Sequence, residues 1–436
     1  MVLYTPGRTS SYPDEPVDSG IRIHFLGGGN EVGNVGVVLE DHSATRLLID
    51  YGLAPTSPPR YPSEAPPISD AVFTHTHIDH IGMAPWLVGN HETTLHATTL
   101  TAALSGMMWK DTYKVSSIEG YPLPWDRRDE DYAREAWETH QYGQWKQHEN
   151  WRWQLHPAGH VPGAAMVEIE TQDYRILHTG DLDTRDSPNT HGAKPVECDI
   201  LLLESTYAGK NHPDRRDEEA RFVAKVVEVV ERGGIAIIPS FASGRGQDVL
   251  KILYDSGLDL NCHYDGMGKA ISQQWLKHPE HLRDAEGFEA ALKWSRRVRS
   301  KSDRKRALEA DVIVTTSGML DGGPALWYLN RLRTDNRCAI LFTGYQAEKS
   351  GGRKLIETGK LPIYGHNVDI ACEIDRFDLS NHADHSALID FAVGCNPKHV
   401  ILFHGDPETR PLLAEALREK GMTVHCPDNG ENVHIK

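Results

Sequence analysis

Short apolar runs, most of them ending beside glycine or proline, set the rhythm of this chain. Ile21-Arg22-Ile23-His24-Phe25-Leu26 alternates apolar and polar positions and runs into Gly27-Gly28-Gly29-Asn30, which predicts a strand and a glycine loop. Val35 to Glu40 and Arg46 to Ile49 are predicted as the next two strands, the second delivering Asp50 at its end. Ala71-Val72-Phe73 is a short buried strand. From His91 to Trp153 the pattern turns helical and aromatic. Ala165–Ile169, Tyr174–Leu177 and Asp199–Leu203 return to strands.

The pattern then changes. Phe222, Val223, Val226, Val227 and Val230 fall at helical spacing, predicting a helix over Glu218–Arg232 that stops at Gly233-Gly234. Ile235–Ile238 is a strand, and Pro239 to Gly246 opens another helix. Val312–Thr315 followed by Ser317 to Gly323 repeats the device. Such alternation predicts a parallel α/β domain. Later come a strand around Val368 to Ile374, a strand over Lys398 to Phe403, a helix near Thr409 to Lys420 and a final strand near Thr423. Histidines on the late strand-end loops mirror the early ones, so the C-terminus is expected to return to the first domain. The expected division is 1–20 a loose arm, 21–205 the first part of a domain, 206–375 an insertion, and 376–436 the return.

Composition narrows the class. The chain has 436 residues, of which 39% are hydrophobic and 25% charged, as in ordinary globular proteins. No apolar run approaches the ~18 residues of a membrane span, and Met1 to Gly20 has no apolar segment of a signal peptide, so the expected location is the cytoplasm. Six scattered cysteines form no C-x-x-C pair and are expected as buried thiols. A formal charge of −16 argues against indiscriminate polyanion binding but leaves room for a local basic groove, and is compatible with a salty cytoplasm. There is no Walker lysine and no G-x-G-x-x-G, so a nucleotide cofactor is not expected. Trp109, Trp125, Trp137, Trp145, Trp151 and Trp153 sit among charges, a pattern that can stack on unpaired bases but more often packs a core.

Thr74-His75-Thr76-His77-Ile78-Asp79-His80 carries the chemistry. Three histidines and an aspartate within six residues, at the end of a strand, offer the imidazole and carboxylate donors that Zn²⁺ takes when thiolates are absent. His160, in Ala158-Gly159-His160-Val161-Pro162-Gly163, and Asp181, after His178-Thr179-Gly180, are plausible further ligands. Asp50 either orients a ligand by hydrogen bond or starts a turn.

Together these segments resemble the metallo-β-lactamase fold in its β-CASP nuclease branch, over nearly all of the chain after about residue 20. The likeness is to archaeal and eukaryotic cleavage and polyadenylation specificity factor nucleases, with RNase J as a cousin. Asp50 matches the first motif, His75, His77, Asp79 and His80 the second, His160 the third and Asp181 the fourth. Glu204 in Glu-Ser-Thr-Tyr, His382 in Ser-Asn-His-Ala-Asp and His404 in Phe-His-Gly resemble the branch's motifs A, B and C, with Asp406 where the family usually has Glu. Pro239–Gly246, Ser317–Gly323 and Gly344-Tyr345-Gln346-Ala347-Glu348 also look like β-CASP segments. Because the sequence begins almost directly at this fold, the KH domains that some archaeal relatives carry before it are expected to be missing, and sequence-specific RNA recognition by the chain itself is not expected.

The resemblance implies an αββα sandwich with an inserted parallel α/β domain and two zinc ions. One would take His75, His77, His160 and Asp181, the other Asp79, His80, His404 and the shared Asp181. It implies hydrolysis of single-stranded RNA phosphodiesters in 3′-end processing or decay, as an endonuclease, a 5′-to-3′ exonuclease or both. Products would be a 5′-phosphate and a 3′-hydroxyl. His382, oriented by Glu204, would protonate the departing 3′ oxygen, with Asp79 also in the catalytic set. A homodimer is common among archaeal relatives. Ser243, Arg245 and Arg353, in glycine-flanked loops, are candidates to hold backbone phosphates. So are Arg296, Arg297 and Arg299 of the basic run Lys293 to Arg306, whose plainer reading is a solvated surface. Two other readings compete: a small-molecule hydrolase of the same fold, like a glyoxalase II, and an inactive subunit of an RNA-processing complex.

Overall fold

In a computed structural model, residues 9–56, 58–347 and 349–436 are described. Residues 1–8 of the expected arm and Glu348 of the last β-CASP-like segment therefore lie outside the described residues. The chain forms two compact units: residues 1–186, 191–211 and 382–436, and residues 187–190 with 212–381.

The first unit holds two seven-stranded sheets. One runs in the order Asn432–Ile435, Ile21–Gly27, Gly36–Asp41, Arg46–Tyr51, Asp70–Val72, Thr94–Thr98, Trp137–His140. The other runs Thr423–His425, His399–Phe403, Ile200–Glu204, Arg175–His178, Ala165–Glu170, Trp151–Pro157, Lys146–His148. Alternation in the first strand is the cause of the layering. Ile21, Ile23 and Phe25 join Val167, Ile176, Leu202, Ile401 and Phe403 of the other sheet in one apolar core. Outside that core, Leu87, Trp109 and Ala133 cover the first sheet from helices Ala84–Asn90, Thr99–Glu119 and Arg127–Glu135. Leu388, Phe391, Leu413 and Leu417 cover the second from helices His385–Cys395 and Arg410–Glu419. The result is helix, sheet, sheet, helix.

The second unit is a six-stranded, all-parallel sheet in the order Arg296–Arg297, Cys262–Asp265, Val312–Thr315, Ala236–Pro239, Ala339–Phe342, Glu373–Arg376. Its central strands are buried on both faces, which is why they read as unbroken apolar runs rather than alternating ones. Helices Arg215–Glu231 and Arg245–Asp255 pack on one face through Phe222, Val226, Val249 and Leu253. Tyr328, Leu329 and Leu355 pack on the other.

Three expectations need correction. The His91–Trp153 segment is only partly helical: it also contributes strands Thr94–Thr98, Trp137–His140, Lys146–His148 and the start of Trp151–Pro157. Val368–Ile374 is not one strand. His366–Asp369 pairs with Lys360–Ile363 as a separate hairpin, and Glu373–Arg376 joins the large sheet. The chain also ends in a strand not foreseen, Asn432–Ile435, which pairs with Ile21–His24. Among the tryptophans, Trp109, Trp125, Trp151 and Trp153 are core residues; Trp137 is half-buried and stacks on Trp109. The half-buried Trp145 lies under the Arg152 guanidinium. Five cysteines are buried and Cys426 is half-buried, all as free thiols. Among the described residues, no helix is long and apolar enough to cross a membrane.

Candidate metal centre

Strand ends in the first unit deliver the chemistry. His75 and His77 follow strand Asp70–Val72, and His77 caps a one-turn helix, Ile78–Ile81, that carries Asp79 and His80. His160 lies between strands Trp151–Pro157 and Ala165–Glu170; Asp181 follows Arg175–His178; Glu204 ends Ile200–Glu204; His404 follows His399–Phe403. These turns are tight. A Cβ on Gly52 would lie 1.7 Å from the Asp79 carbonyl oxygen, so only glycine lets that chain pass beneath the helix. Asp50 and His404 both hold left-handed backbone, φ 56° and 49°, a conformation non-glycine residues adopt at a cost.

The side chains form two clusters joined by one carboxylate. His77 Nδ1 lies 3.0 Å from His75 Nε2 and 3.1 Å from His160 Nε2. Asp181 Oδ2 lies 3.6 Å from His75 Nε2 and 3.7 Å from His160 Nε2. The other oxygen, Oδ1, is 3.4 Å from His80 Nε2 and 3.2 Å from His404 Nδ1, and His404 Nε2 is 3.5 Å from Asp79 Oδ2. One donor atom from each of His75, His77, His160 and Asp181 lies within 4.8 Å of the others, as in Asp79, His80 and His404.

Hydrogen bonds behind the clusters fix which nitrogens face inward. Asp50 accepts from the Thr74 N–H at 2.7 Å and the Thr74 hydroxyl at 2.8 Å, and its Oδ2 takes His80 Nδ1 at 2.7 Å. That turns His80 Nε2 towards the cluster. The Thr74 hydroxyl, its own proton given to Asp50, accepts from His75 Nδ1 at 3.1 Å and turns Nε2 of His75 inward. Asp50 therefore holds the His80 ring by hydrogen bond. The glycine loop also has a task that the sequence reading missed: the Gly28 carbonyl accepts from the His404 N–H at 2.7 Å.

The residues fit a cation. His80 Nε2, Asp181 Oδ1 and His404 Nε2 are buried without a hydrogen bond, a costly state unless a positive charge sits among them. Three imidazoles with a carboxylate are a zinc-type donor set. Burial opposes charge on His80, but the carboxylates of Asp181 and Asp50 outweigh it and hold its pKa well above the ordinary value. Burial, then the charge on His80, drives His75 well below it. Asp181 is held well below the usual carboxylate range, because His404 and His80 outweigh its burial.

A third group stands against the same aspartate. His382 Nδ1 donates to Glu204 Oε1 at 2.8 Å, and its Nε2 is 4.0 Å from Asp181 Oδ2. Glu204 is itself fixed, accepting from the Leu182 N–H at 3.2 Å and the Thr206 N–H at 2.9 Å. Burial lowers the His382 pKa, but Glu204 and Asp181 raise it further, to about 9. Arg185, also missed from sequence, pairs with Asp183 at 2.8 Å and donates to the His382 carbonyl at 3.2 Å.

The candidate phosphate-binding residues all belong to the second unit, and they differ among themselves. Ser243 is buried. Arg245 is only 7% exposed; it lies 3.5 Å from Asp248 and donates to Asn381 Oδ1 at 3.3 Å, both within its own unit. Arg353 forms a pair with Glu357 one helical turn on, at 2.5 Å. Arg296, Arg297 and Arg299 make no side-chain ion pair among the described residues; Arg296 and Arg299 are exposed and Arg297 is half-buried.

The sequence matches three families: the metallo-beta-lactamase superfamily over residues 28–194, the Beta-Casp domain over 247–355, and the Zn-dependent metallo-hydrolase RNA specificity domain over 367–427. It is 33% identical to a protein of Methanocaldococcus jannaschii named as a probable RNase MJ4, across 95% of this chain and all of that one. RNase aCSPSF2 of Saccharolobus solfataricus is 31% identical across 95% of this chain and 85% of its own. The transcription termination factor FttA of M. jannaschii is 30% identical, across 96% and 72%. A crystal structure of an Enterococcus faecalis protein of unknown function shares the fold, with TM-score 0.60 at 12% identity over 96% of this chain.

Proposed function

The chain belongs to the β-CASP branch of the metallo-β-lactamase superfamily, among the archaeal CPSF-like ribonucleases, and from that premise we propose that it is a two-zinc hydrolase of single-stranded RNA. The observation that carries this reading is the placement of the Glu204–His382 pair against the carboxylate that joins the two donor clusters. A hydrolase acting on phosphodiesters needs a site for two cations and, beside it, a group that can hand a proton to the leaving oxygen.

His75, His77, His160 and Asp181 would hold one zinc, and Asp79, His80, His404 and Asp181 the other. When bound, such a pair neutralises charge on the phosphate and lowers the pKa of a coordinated water. The chain's own side chains do the rest. Asp50 and Thr74 keep the imidazoles in the tautomers that face the clusters. Glu204 takes the Nδ1 proton of His382 in a hydrogen bond, which leaves Nε2 directed at the site as the proton donor to the departing 3′ oxygen. The RNA carries a 3′-hydroxyl and a 5′-phosphate away.

The test is a denaturing-gel digest of one RNA labelled at either end, bearing a 5′-triphosphate, monophosphate or hydroxyl. Internal fragments from every 5′ form mean endonuclease; dependence on the 5′ end with mononucleotide release means 5′-to-3′ exonuclease. Intact RNA together with hydrolysis of a thioester would overturn the reading.

A further inference from the structure

A second group of metal-binding side chains lies in the first unit, away from the residues already described. His96, on strand Thr94–Thr98, is the register partner of Glu138 on strand Trp137–His140. Residues two apart on a strand share a face, so His140 joins them. His96 Nδ1 lies 3.0 Å from His140 Nε2 and 3.9 Å from Glu138 Oε2, and His140 Nε2 lies 4.0 Å from Glu138 Oε1. Across such spacings a cation can sit at roughly 2.0–2.2 Å from each donor, the range of zinc–nitrogen and zinc–carboxylate bonds.

The arrangement behind these donors is what a metal histidine needs. Asp70 Oδ1 accepts from His96 Nε2 at 2.7 Å, which places the ring proton on Nε2 and leaves the Nδ1 lone pair facing His140 and Glu138. Asp70 is held in turn: His148 Nδ1 lies 3.3 Å from its Oδ2, and His148 Nε2 donates to the Arg46 carbonyl at 2.8 Å. Trp153 packs edge-on against both rings, with centroids 5.2 Å from His96 and 4.8 Å from His140. The two imidazoles are buried and Glu138 is exposed. A cavity of about 620 Å³, lined by Thr99, Thr139, His140, Gln141, Tyr142 and Gln144, reaches His140 from outside. Lys146 lies 2.6 Å from Glu138, an exposed pair that contributes little to stability and that a cation at this site would displace.

We propose that His96, Glu138 and His140 bind a further zinc ion that pins the edge strand Trp137–His140 to its neighbour. That strand closes the sheet and pairs on one side only.

The full-length protein is stripped with chelator, reloaded with zinc, desalted and assayed for zinc per chain, with cobalt absorption as a second readout. Glu138→Gln changes an exposed side chain and His140→Gln a donor. Each should lose about one zinc equivalent relative to the unaltered protein. RNA cleavage at saturating substrate should hold, and chelator should lower the Tm of each variant less. Conversely, His77→Ala should keep this zinc, so failure at one site is distinguishable from failure at the other. Equal zinc and identical cobalt spectra in the unaltered protein, Glu138→Gln and His140→Gln would overturn the proposal and leave the 3.0 Å contact as an ordinary hydrogen bond between the rings.

Discussion

Two buried carboxylates near strand ends, Asp265 of the second unit and Asp181 of the first, have opposite surroundings. Asp265 ends a strand of the second unit, where Arg304 Nε donates to it at 2.7 Å and the Tyr328 hydroxyl at 3.0 Å, with Lys269 at 3.3 Å. Asp248 in the same unit accepts from the Asn189 and Asn381 amides, each at 2.7 Å. Asp181 follows a strand of the first unit and meets imidazoles, with one oxygen making no hydrogen bond. The second unit brings its own cations and amides to its buried acids. Asp181 is instead surrounded by imidazoles, groups that can carry a proton or give a lone pair to a metal ion, and no arginine or lysine is paired with it among the described residues. Burial of acids is common to both; the presence or absence of a built-in counter-charge separates scaffold from site.

That contrast can be broken most severely at the first unit. His77→Ala or Asp181→Ala should lose the metal held at the clusters around Asp181, and cleavage with it, because a truncated ligand leaves the site short of its preferred coordination; Asp265→Ala should keep that metal in full. Elemental analysis of chelator-free protein decides it, and full occupancy in His77→Ala would show that the cluster is not a ligand set. Next in size is His382→Ala. It should retain metal and RNA binding while cleavage falls by ~10²–10⁴, the usual size of a general acid term, and Glu204→Gln should fall less. Loss of a zinc from His382→Ala would mean that His382 is a ligand.

For the second unit the expected effect is on stability. Asp265→Ala strands Arg304 and Tyr328 and should cost about 2 kcal/mol in urea unfolding, less than a fully buried pair because Arg304 is partly exposed. The pH dependence has a definite sign. Hydrogen bonds and charge from Arg304 outweigh the burial of Asp265 and hold its carboxyl below the usual range. Its contribution is therefore complete above about pH 5, the upper edge of the ordinary carboxylate range, and is lost as pH falls through the folded-state value. An equal acid sensitivity in the Asp265→Ala variant would remove this account. The smallest effect concerns the surface arginines. Arg296, Arg297 and Arg299 replaced by Gln should make the slope of log affinity against log salt shallower by up to ~2, with zinc unchanged. An unchanged slope would mark that face as solvated surface.

Much of this was legible before any coordinates. His75-x-His77-x-Asp79-His80 stands out because local backbone alone brings four donors together. His160 and Asp181 were legible as further ligands only because they follow that motif beside glycine, whereas Glu204, at a strand's end, and His382 and His404, in short loops, were given roles only by the likeness to a family; the convergence of all five is made by strand pairing over long separations. Strand Trp137–His140 was hidden by polar and aromatic residues that suit an edge, and Glu138 and His140 were hidden with it. Arg245 shows another gap between pattern and packing. A glycine-flanked loop at a helix start is a place for phosphate, but its side chain turns inward to Asp248 and Asn381, which no local pattern announces.

The pairing of Ile21 with Ile435 sets an order of events in synthesis. Strand Ile21–Gly27 is made before the second unit, but one of its neighbours, Asn432–Ile435, follows the whole of that unit. His382 and His404 arrive only after that unit as well. A nascent chain thus exposes a half-bonded sheet edge and an incomplete set of donors while the parallel sheet, whose strands lie within one continuous stretch, can already close. Completion of the donor set then waits on strands made after the whole of the second unit.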